Sequence, residues 1–569
     1  MKTDKFHYYS MVAFTTIFPF LIGGYYSFTC ALASIILSLL LVISVFRNRA
    51  LNISLSFESA VILGITILYF FTKFWAVDKS MSLYGFVKLS TVLLYLLNLL
   101  QIESENRPKL LYTLPVCAAF MSASTWLLGQ IEGLYSRFFD IAGDLHGAFE
   151  YANAFAAFCM IAVIVAIFKP KKNKVIIVLD VLCALICCAG IYLSNARAVI
   201  LLTMGILVVC ALYFIVSKLK TKKAKSILFG VIAVVGAATL AIMFATGIAS
   251  TLTKKILSDG PFVERLLFWH DSFIYALHHP FGKGAYAFYY AQPQFQSAFY
   301  YAIDVHNDYL QMMVEIGIIP ALCFIVLLVK QLFSKKTNVM QKMIILALAA
   351  HSFMDYDLQF ISLFVLLLLC FHYSNEKKFT VKSKLIPAVL ATGVIAFNGV
   401  LGLSAFYNYT GNQLKSSNLY KNTSALLMLM QSSNDQQFGF DIANEILAKN
   451  DCVFEANHTL ANIYAANQKY DKALQQMELV LKKEPRNMEN YEDYIDLCVE
   501  AESYYAAAGE KEKSREVSKK IVGIEKTLAD LKAHTNPRAI KYARKQNFRV
   551  DKAHQSIIDE HKKTIKNIE

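Results

Sequence analysis

The chain has 569 residues, of which 56% are apolar and only 17% charged, and its mean hydropathy is +0.43. Soluble globular domains contain about 45–50% apolar and about 25% charged residues, so the composition excludes that class, together with disordered, collagen-like, coiled-coil and small disulfide-rich chains. The net charge of +14 would suit nucleic-acid binding, but within 1–406 the cations stand in short loops between apolar runs, where they set membrane topology. We therefore expect a polytopic membrane protein that does not bind nucleic acid.

Apolar runs of membrane-spanning length fill residues 1–406. A spanning helix needs about 20 apolar residues. We predict an all-α, polytopic helical bundle with thirteen spans, at about 9–25, 28–46, 57–76, 84–102, 109–129, 150–168, 175–193, 198–217, 227–247, 308–329, 340–354, 358–373 and 385–406. The eleventh and twelfth are short, so we expect them to pack against protein instead of lipid.

Lys and Arg assign the two sides of the membrane. They concentrate in alternate loops, for example 169–174, 218–225 and 377–384. Cytoplasmic loops carry the excess of Lys and Arg, so the N-terminus is predicted to be cytoplasmic. The long loop 248–307 and the C-terminal part then lie outside, and the functional surface is predicted to face outward.

Residues 407–569 have the composition of a water-soluble helical domain, predicted to be extracytoplasmic. Within 454–487, apolar and small residues fall at the spacings of a tetratricopeptide unit of about 34 residues; they are Leu460, Ala461, Tyr464, Ala473, Met477, Val480 and Pro485. A single repeat cannot bury its own face, and 434–450 and 488–523 are degenerate neighbours. The domain is either a scaffold that binds a partner or glycan, or a helical cap that stabilises the outer loops.

Two arginines stand at the predicted outer rim of the membrane. A charged residue at the bilayer centre costs about 2.5–3.5 kcal/mol on insertion scales, and such residues persist where they line a cavity or serve a function. Arg197 lies at the junction of two apolar helices, where the alternative is a snorkelling anchor. Arg265 lies in the long outer loop, on one face of an amphipathic surface helix with Trp269. Pairing with Glu264 or Asp271 is the structural alternative for Arg265.

A histidine stands where the long outer loop re-enters the membrane. His306 is followed by Asn307, which can cap the next helix, and Glu315 lies about two turns deeper as an ionisable group in an apolar run. Isolated histidines are usually structural, but one at a polar–apolar boundary outside the membrane suits acid–base catalysis. Gly282 and Gly284 precede it in a flexible turn whose backbone could approach a ligand closely.

Several short motifs stand in the order found in a known family. They are GAFEYANAFAAF around Asn153, SNARAVIL around Arg197, RLLFWHDSFIYALHHPFGKG around Arg265, the run Val305 to Ile319 that contains His306, and HSFMDYDLQF, which holds His351 and Asp355. Together, over about 150–360, they resemble the O-antigen ligase/polymerase superfamily of integral membrane glycosyltransferases. The number of helices and the large outer loop before the His-Asn pair are also similar to that family.

The resemblance implies a membrane-embedded glycosyltransferase of the GT-C type in the bacterial cytoplasmic (inner) membrane. It would transfer a glycan from an undecaprenyl-diphosphate carrier to a hydroxyl of an acceptor glycan, glycolipid or protein on the outer face. No metal, nucleotide or other cofactor is expected. The family roles fall on Arg197 and Arg265 as diphosphate binders and on His306 as the group that orients or deprotonates the acceptor. Supporting positions are Asn153, Trp269, Gly282, Gly284, Asn307, Glu315, His351 and Asp355.

Physical chemistry supports these roles independently. A diphosphate leaves as an anion, to which Arg offers permanently charged, bidentate donors, and the acceptor hydroxyl loses a proton to a base of near-neutral pKa. Three alternatives stay open: a transporter or flippase for lipid-linked glycans, with Lys88 and Glu315 inside its spans, a protein O-oligosaccharyltransferase, and a non-catalytic scaffold. The tetratricopeptide-like module and the thirteenth helix are absent from compact ligases but have counterparts in protein-glycosylating relatives, which leaves the acceptor open.

Overall fold

The computed structural model describes residues 4–171, 173–221, 260–373, 377–543 and 546–568. Helices dominate, because in lipid the backbone polar groups must be satisfied within their own segment. The helices of the apolar part are α1 (Lys5–Ile17), α2 (Ser27–Asn48), α3 (Phe57–Phe71), α4 (Ser82–Leu100), α5 (Leu114–Leu128), α6 (Ala152–Phe168), α7 (Lys174–Leu193), α8 (Arg197–Lys218), α9 (Gly260–His278), α10 (Ala287–Phe295), α11 (Asp308–Ile316), α12 (Ile318–Phe333), α13 (Val339–His351), α14 (Ile361–Leu369) and α15 (Leu385–Tyr409).

Several helices in this part of the chain are long enough to span a membrane. Within the described residues, seven helical segments are long and apolar enough to cross a membrane: Ser27–Asn48, Phe57–Phe74, Ser82–Leu100, Arg107–Leu128, Lys174–Leu193, Arg197–Lys218 and Leu385–Tyr409. Helices α6, α12 and α13 are apolar but shorter. The chain is thus a multi-pass membrane protein, as predicted. The number of thirteen spans stays a prediction, and the ninth, 227–247, lies outside the described residues.

Three predicted spans are wrong as continuous helices. The first, 9–25, ends as α1 at Ile17, because Pro19 lacks the N–H that the next helical turn would use. The tenth, 308–329, is divided into α11 and α12 at Gly317, whose φ of 105° is incompatible with a helix. The twelfth, 358–373, contains only the nine residues of α14.

The centre of the bundle is formed by helices without a polar face. Every residue of α14 is buried, and so is α6 from Ala154 to Ala166. A helix that is apolar around its whole circumference belongs in a core. The burial of α14 agrees with the expectation that the twelfth candidate packs against protein.

One small sheet departs from the all-α prediction. Strand β1 (Leu51–Leu55) pairs antiparallel with β2 (Lys377–Val381), and Leu51 stands opposite Val381. The two strands come from predicted cytoplasmic loops that are more than 300 residues apart. Their pairing requires both loops to lie on one side of the bundle, which is consistent with the predicted topology.

The C-terminal part is helical throughout its described residues. They are α16 (Gln413–Leu419), α17 (Thr423–Ser432), α18 (Gln436–Lys449), α19 (Phe454–Ala466), α20 (Tyr470–Lys483), α21 (Glu489–Ala507), α22 (Lys511–His534), α23 (Pro537–Tyr542) and α24 (Lys552–Ile568). Helices α19 and α20 pack together and bury most of the positions of the predicted repeat, including Leu460, Ala473 and Val480. Assignment of this pair to the tetratricopeptide class stays a prediction.

The C-terminal part lies against two of the predicted outer loops. The side-chain amide of Asn450 donates to the carboxylate of Asp78, in the loop before α4, over 3.0 Å. The Nε of Arg486 donates to the carbonyl oxygen of Gln296, in the loop before α11, over 2.6 Å. The second contact connects this part of the chain to the segment that carries His306.

Candidate active site

A buried carboxylate lies at the centre of the predicted site. Asp355 stands in the short segment between α13 and α14, and its side chain is only 1% exposed. Two side chains at the start of α6 form hydrogen bonds with it: Tyr151, the residue before the helix, and Asn153, in its first turn. The hydroxyl of Tyr151 lies 2.8 and 2.9 Å from the two carboxylate oxygens, and the amide of Asn153 donates to Oδ2 over 2.6 Å. The GAFEYANAFAAF motif therefore supplies two hydrogen bonds to the HSFMDYDLQF motif.

His306 reaches the same carboxylate from the end of the long outer loop. Its Nδ1 lies 3.2 Å from Oδ1 of Asp355. His306 has a φ of 54°, which turns the chain just before α11. The indole N–H of Trp269 donates to the His306 carbonyl over 2.9 Å, and Asn307 caps α11 by accepting from the backbone of Tyr309 and Leu310. The predicted cap is confirmed, and both neighbours hold His306 in place.

Arg265 approaches from α9. Its Nη1 donates to the Met354 carbonyl over 2.8 Å, and its Nη2 lies 3.5 Å from Oδ2 of Asp355. Asp271, a partner considered from the sequence, instead accepts from Ser297 and Tyr300. Arg265 and His306 thus meet on one carboxylate, and their side chains keep exposed fractions of 18% and 22%.

Electrostatics fixes the roles of the imidazole nitrogens. Burial raises the pKa of the Asp355 carboxyl, but the hydrogen bond from His306 and the charge of Arg265 lower it by more, so the pKa lies well below its ordinary value. An ionised carboxylate only accepts hydrogen bonds, so Nδ1 of His306 carries a proton. The described residues offer no partner to Nε2, and in the neutral ring Nε2 is then the nitrogen that accepts a proton.

Arg197 lies in a different local environment. It is the first residue of α8, is exposed, and its positive charge acts on Asp144 in the loop before α6. Arg265 and His306 therefore contact the same carboxylate, whereas Arg197 lies beside the loop that holds Asp144.

Two further predicted residues belong to buried networks next to the site. Nδ1 of His351 lies 2.6 Å from Oδ2 of Asp357. Glu315 accepts hydrogen bonds from the Tyr69 hydroxyl, the Gln311 amide and the Tyr286 backbone N–H. These side chains stabilise the segments that flank Asp355 and His306.

The glycine turn of Gly282 and Gly284 comes close to the protein's own backbone, and its approach to a ligand stays a prediction. Gly282 has a φ of 72°, and a Cβ at this position would lie 2.5 Å from the Glu315 carbonyl oxygen. The backbone N–H of Gly284 donates to the same oxygen over 2.8 Å. The turn therefore fixes the end of α11, because only a residue without a side chain fits there.

Sequence reasoning missed two tyrosines of the site. Tyr151 donates to Asp355, and the ring of Tyr356 lies 4.9 Å from that of His306. Both flank residues that the motifs had singled out. With 31 tyrosines in the chain, residue type alone gave no signal for either.

One cluster among the described residues could hold a metal ion. Its ligand atoms, from Glu492, Asp551 and His554, lie within 4.8 Å of one another. The cluster belongs to the surface of the C-terminal part and contains none of the site residues.

One family model matches part of the chain. A family model described as O-antigen ligase matches residues 182–325, a range that contains Arg197, Arg265 and His306. Asn153 and Asp355 lie outside the matched range. No curated protein matches the chain. The match supports the resemblance to the O-antigen ligase superfamily, a glycan-transferring role and a place in the bacterial inner membrane.

Proposed function

We propose that the chain transfers a glycan from an undecaprenyl-diphosphate-linked donor to a hydroxyl of an acceptor at the outer face of the membrane, without a metal. One observation carries the proposal: Arg265 and His306 converge on the buried, ionised Asp355. A permanent cation and a correctly oriented base are the groups that this reaction needs when no metal neutralises the leaving diphosphate.

The proposed reaction uses each group once. The acceptor oxygen forms a bond to the anomeric carbon of the donor while the bond from that carbon to the diphosphate oxygen breaks. The acceptor proton passes to Nε2 of His306, whose ring is oriented by Asp355, as carboxylates orient catalytic histidines in other enzymes. The diphosphate keeps the electron pair and leaves as an anion next to Arg265, where the low-dielectric boundary strengthens the attraction.

Arg197 is proposed as a second diphosphate contact. It is exposed at the start of α8, and its guanidinium is a permanent cation of the kind that binds phosphate oxygens. The acceptor is a growing polysaccharide, a lipid A core, another glycolipid or wall polymer, or a protein. Ligase and polymerase activities both agree with this chemistry, with the N-terminus in the cytoplasm and 407–569 outside.

The test measures transfer in reconstituted proteoliposomes that hold a fluorescent lipid-linked donor and the candidate acceptors. Arg265→Ala and His306→Ala are each expected to lower the transfer rate by about 10²-fold or more, because each removes a group that acts in the transition state. His278→Ala and Arg137→Ala change exposed outer residues of the same types and are expected to keep wild-type rates.

The same liposomes separate a transferase from a flippase. A flippase would move the donor across the bilayer and leave it unjoined. Full transfer by both Arg265→Ala and His306→Ala would contradict the assignment of the site.

A further inference from the structure

A cavity of about 360 Å³ lies beside the segment that leads to His306. Asp304, two residues before His306, forms part of its wall, and so does Tyr25. The ring of Tyr25 lies 6.2 Å from that of Tyr356, which in turn lies 4.9 Å from the His306 ring. The rings of Tyr25 and Tyr356 therefore stand, one after the other, between the cavity and the imidazole. Its volume falls in the range of about 300–1,000 Å³ that is typical of small-molecule sites.

Lys88 brings an ammonium group to this cavity from the interior of α4. Its Nζ donates to Oε1 of Gln359 over 3.0 Å and lies 4.8 Å above the Tyr25 ring. An ammonium has three donors, and the described residues use one of them in a hydrogen bond. Ionisable residues inside membrane spans commonly face a cavity and mark the path of a substrate. The mechanism proposed above gives Lys88 no role.

Two acceptor oxygens at the cavity also lack a partner among the described residues. Oδ1 of Asn408 is buried without a hydrogen bond, while its amide donates to Ser424. Asp304 uses Oδ2 to accept from the Tyr25 hydroxyl over 3.0 Å and has no recorded bond to Oδ1. Buried polar atoms are normally paired, so these atoms are positioned to bind something that enters the cavity.

The wall of the cavity is rich in tyrosine. It contains eight tyrosines, among them Tyr25, Tyr84 and Tyr286. A tyrosine offers an apolar ring face and a polar hydroxyl, which match the C–H faces and the hydroxyl edges of a sugar. The ionisable groups are one ammonium and the carboxylates of Asp304 and Glu315, so the cavity has no excess of positive charge for a phosphate or a uronic acid. Like charges facing each other in a site are costly.

We propose that this cavity binds one uncharged sugar ring, which Lys88, Asp304 and Asn408 orient by hydrogen bonds. The inference rests on the proposed function, since the sugar belongs either to the glycan of the donor or to the acceptor. Both sources share the same chemistry.

The binding test uses the full-length protein in a detergent without a sugar headgroup. Saturation-transfer NMR is recorded with methyl glucoside and methyl N-acetylglucosaminide as uncharged probes and with methyl glucuronide as the charged probe. We expect at least one uncharged probe to bind and the glucuronide to bind about tenfold more weakly or not at all. Lys88→Met and Asp304→Asn should each weaken binding about tenfold or more, because each removes a charged hydrogen-bonding group.

Two controls make the result specific. Asp180→Asn changes another buried carboxylate, which pairs with Lys169 and Lys171 and is not part of the cavity wall, and is expected to keep wild-type binding. His306→Ala is also expected to bind the probe while it fails to transfer. Absence of binding to the wild-type protein, tighter binding of the glucuronide, or unchanged binding by both cavity variants would overturn the inference.

Kinetics with the lipid-linked donor and the acceptor distinguish the two sources of the sugar. Asp304→Asn is expected to raise the KM of one substrate, and the substrate affected identifies the ring that the cavity holds. Probe binding that depends on Asp304 without any transfer would count against the proposed function alone. Transfer with both KM values unchanged in the two cavity variants would count against the sugar site alone.

Discussion

Five hydrogen-bond donors surround the carboxylate of Asp355. They come from the side chains of Tyr151, Asn153, Arg265 and His306 and from the backbone N–H of Tyr356. Removing one partner of such a buried network lowers the stability of the protein, because the other groups are left without a hydrogen bond. In the proposed mechanism, Asp355 is therefore a positioning residue that holds His306 and Arg265 at a fixed separation.

Asp355→Asn tests this role. The amide can keep the site folded, but its oxygen and nitrogen cannot both accept, so the tautomer of His306 is no longer fixed. In the serine proteases the corresponding change lowers kcat by about 10⁴, and we expect a loss of about 10²–10⁴ in kcat with a smaller change in the KM of the acceptor. Asp357→Asn alters the neighbouring buried carboxylate, which pairs with His351, and should lower kcat less. Equal effects of the two variants would contradict a specific role for Asp355.

The depressed pKa of Asp355 also predicts how its stabilising effect changes with pH. A carboxyl whose pKa is lower in the folded than in the unfolded state stabilises the fold above its unfolded pKa, about 3.9, and loses this contribution as the pH falls through the folded value. The difference in Tm between the wild type and Asp355→Asn should therefore be constant from pH 5 to 8 as far as Asp355 is concerned, and should shrink below about pH 4. Thermal melts of the detergent-solubilised protein measure it. A difference that grows on acidification would contradict this sign.

At the residue level, the sequence predicted those site residues whose side chains are unusual for their surroundings. Arg265, His306 and Asp355 are charged or titratable residues at a membrane boundary, and they do meet. Tyr151 and Asp304 were not found, since their roles come from contacts between segments that are far apart in the chain. The backbone contact of Gly282 was not predicted, because a glycine can mark a close approach to a ligand or to the protein's own backbone and the sequence does not distinguish the two; approach to a ligand stays a prediction.

At the level of elements, the last turn of α11 is fixed by hydrogen bonds from the glycine turn at 282–284. Backbone N–H groups of Lys283 and Gly284 donate to the carbonyls of Val314 and Glu315 over 2.8 Å each. This contact holds the helix that begins at Asp308, two residues after His306. Hydropathy predicted one span over 308–329, because the apolar run continues through Gly317 and hydropathy carries no information on backbone angles.

Gly282→Ala tests the contact. The new Cβ would stand in a left-handed backbone, at a cost of about 1–2 kcal/mol, and would lie 2.5 Å from the Glu315 carbonyl oxygen. We expect a lower Tm and a reduced transfer rate. Gly393→Ala places a methyl group on α15 with no atom within 4 Å, and should leave both unchanged or raise the Tm slightly. A Gly282→Ala protein as stable as Gly393→Ala would show that the turn does not need glycine.

At the scale of the whole molecule, the C-terminal part contacts the predicted outer loop that carries His306. Arg486 contacts the carbonyl of Gln296 through Nε and the hydroxyl of Thr535 through Nη1 over 2.7 Å. Nearby, the backbone N–H of Phe299 donates to Oε1 of Gln546 over 2.7 Å. These contacts favour the interpretation of a helical cap on the outer loops, which the sequence left equal to a binding scaffold. The choice depended on contacts across the whole fold, which a repeat pattern does not contain.

Arg486→Ala is expected to loosen the segment that leads through Asp304 to His306. A lost hydrogen bond from a charged donor costs about 1.5–3 kcal/mol, so the Tm should fall and kcat should fall with it, since the base is then less often in position. Arg486→Lys should recover only part of the loss, because a lysine ammonium lacks the planar fork that reaches two acceptors at once. Arg515→Ala removes an exposed arginine of α22 in the same part of the chain and serves as the matched control. If Arg486→Ala transfers glycan at the wild-type rate while it loses binding to an external partner, the scaffold interpretation is correct and the cap interpretation is wrong.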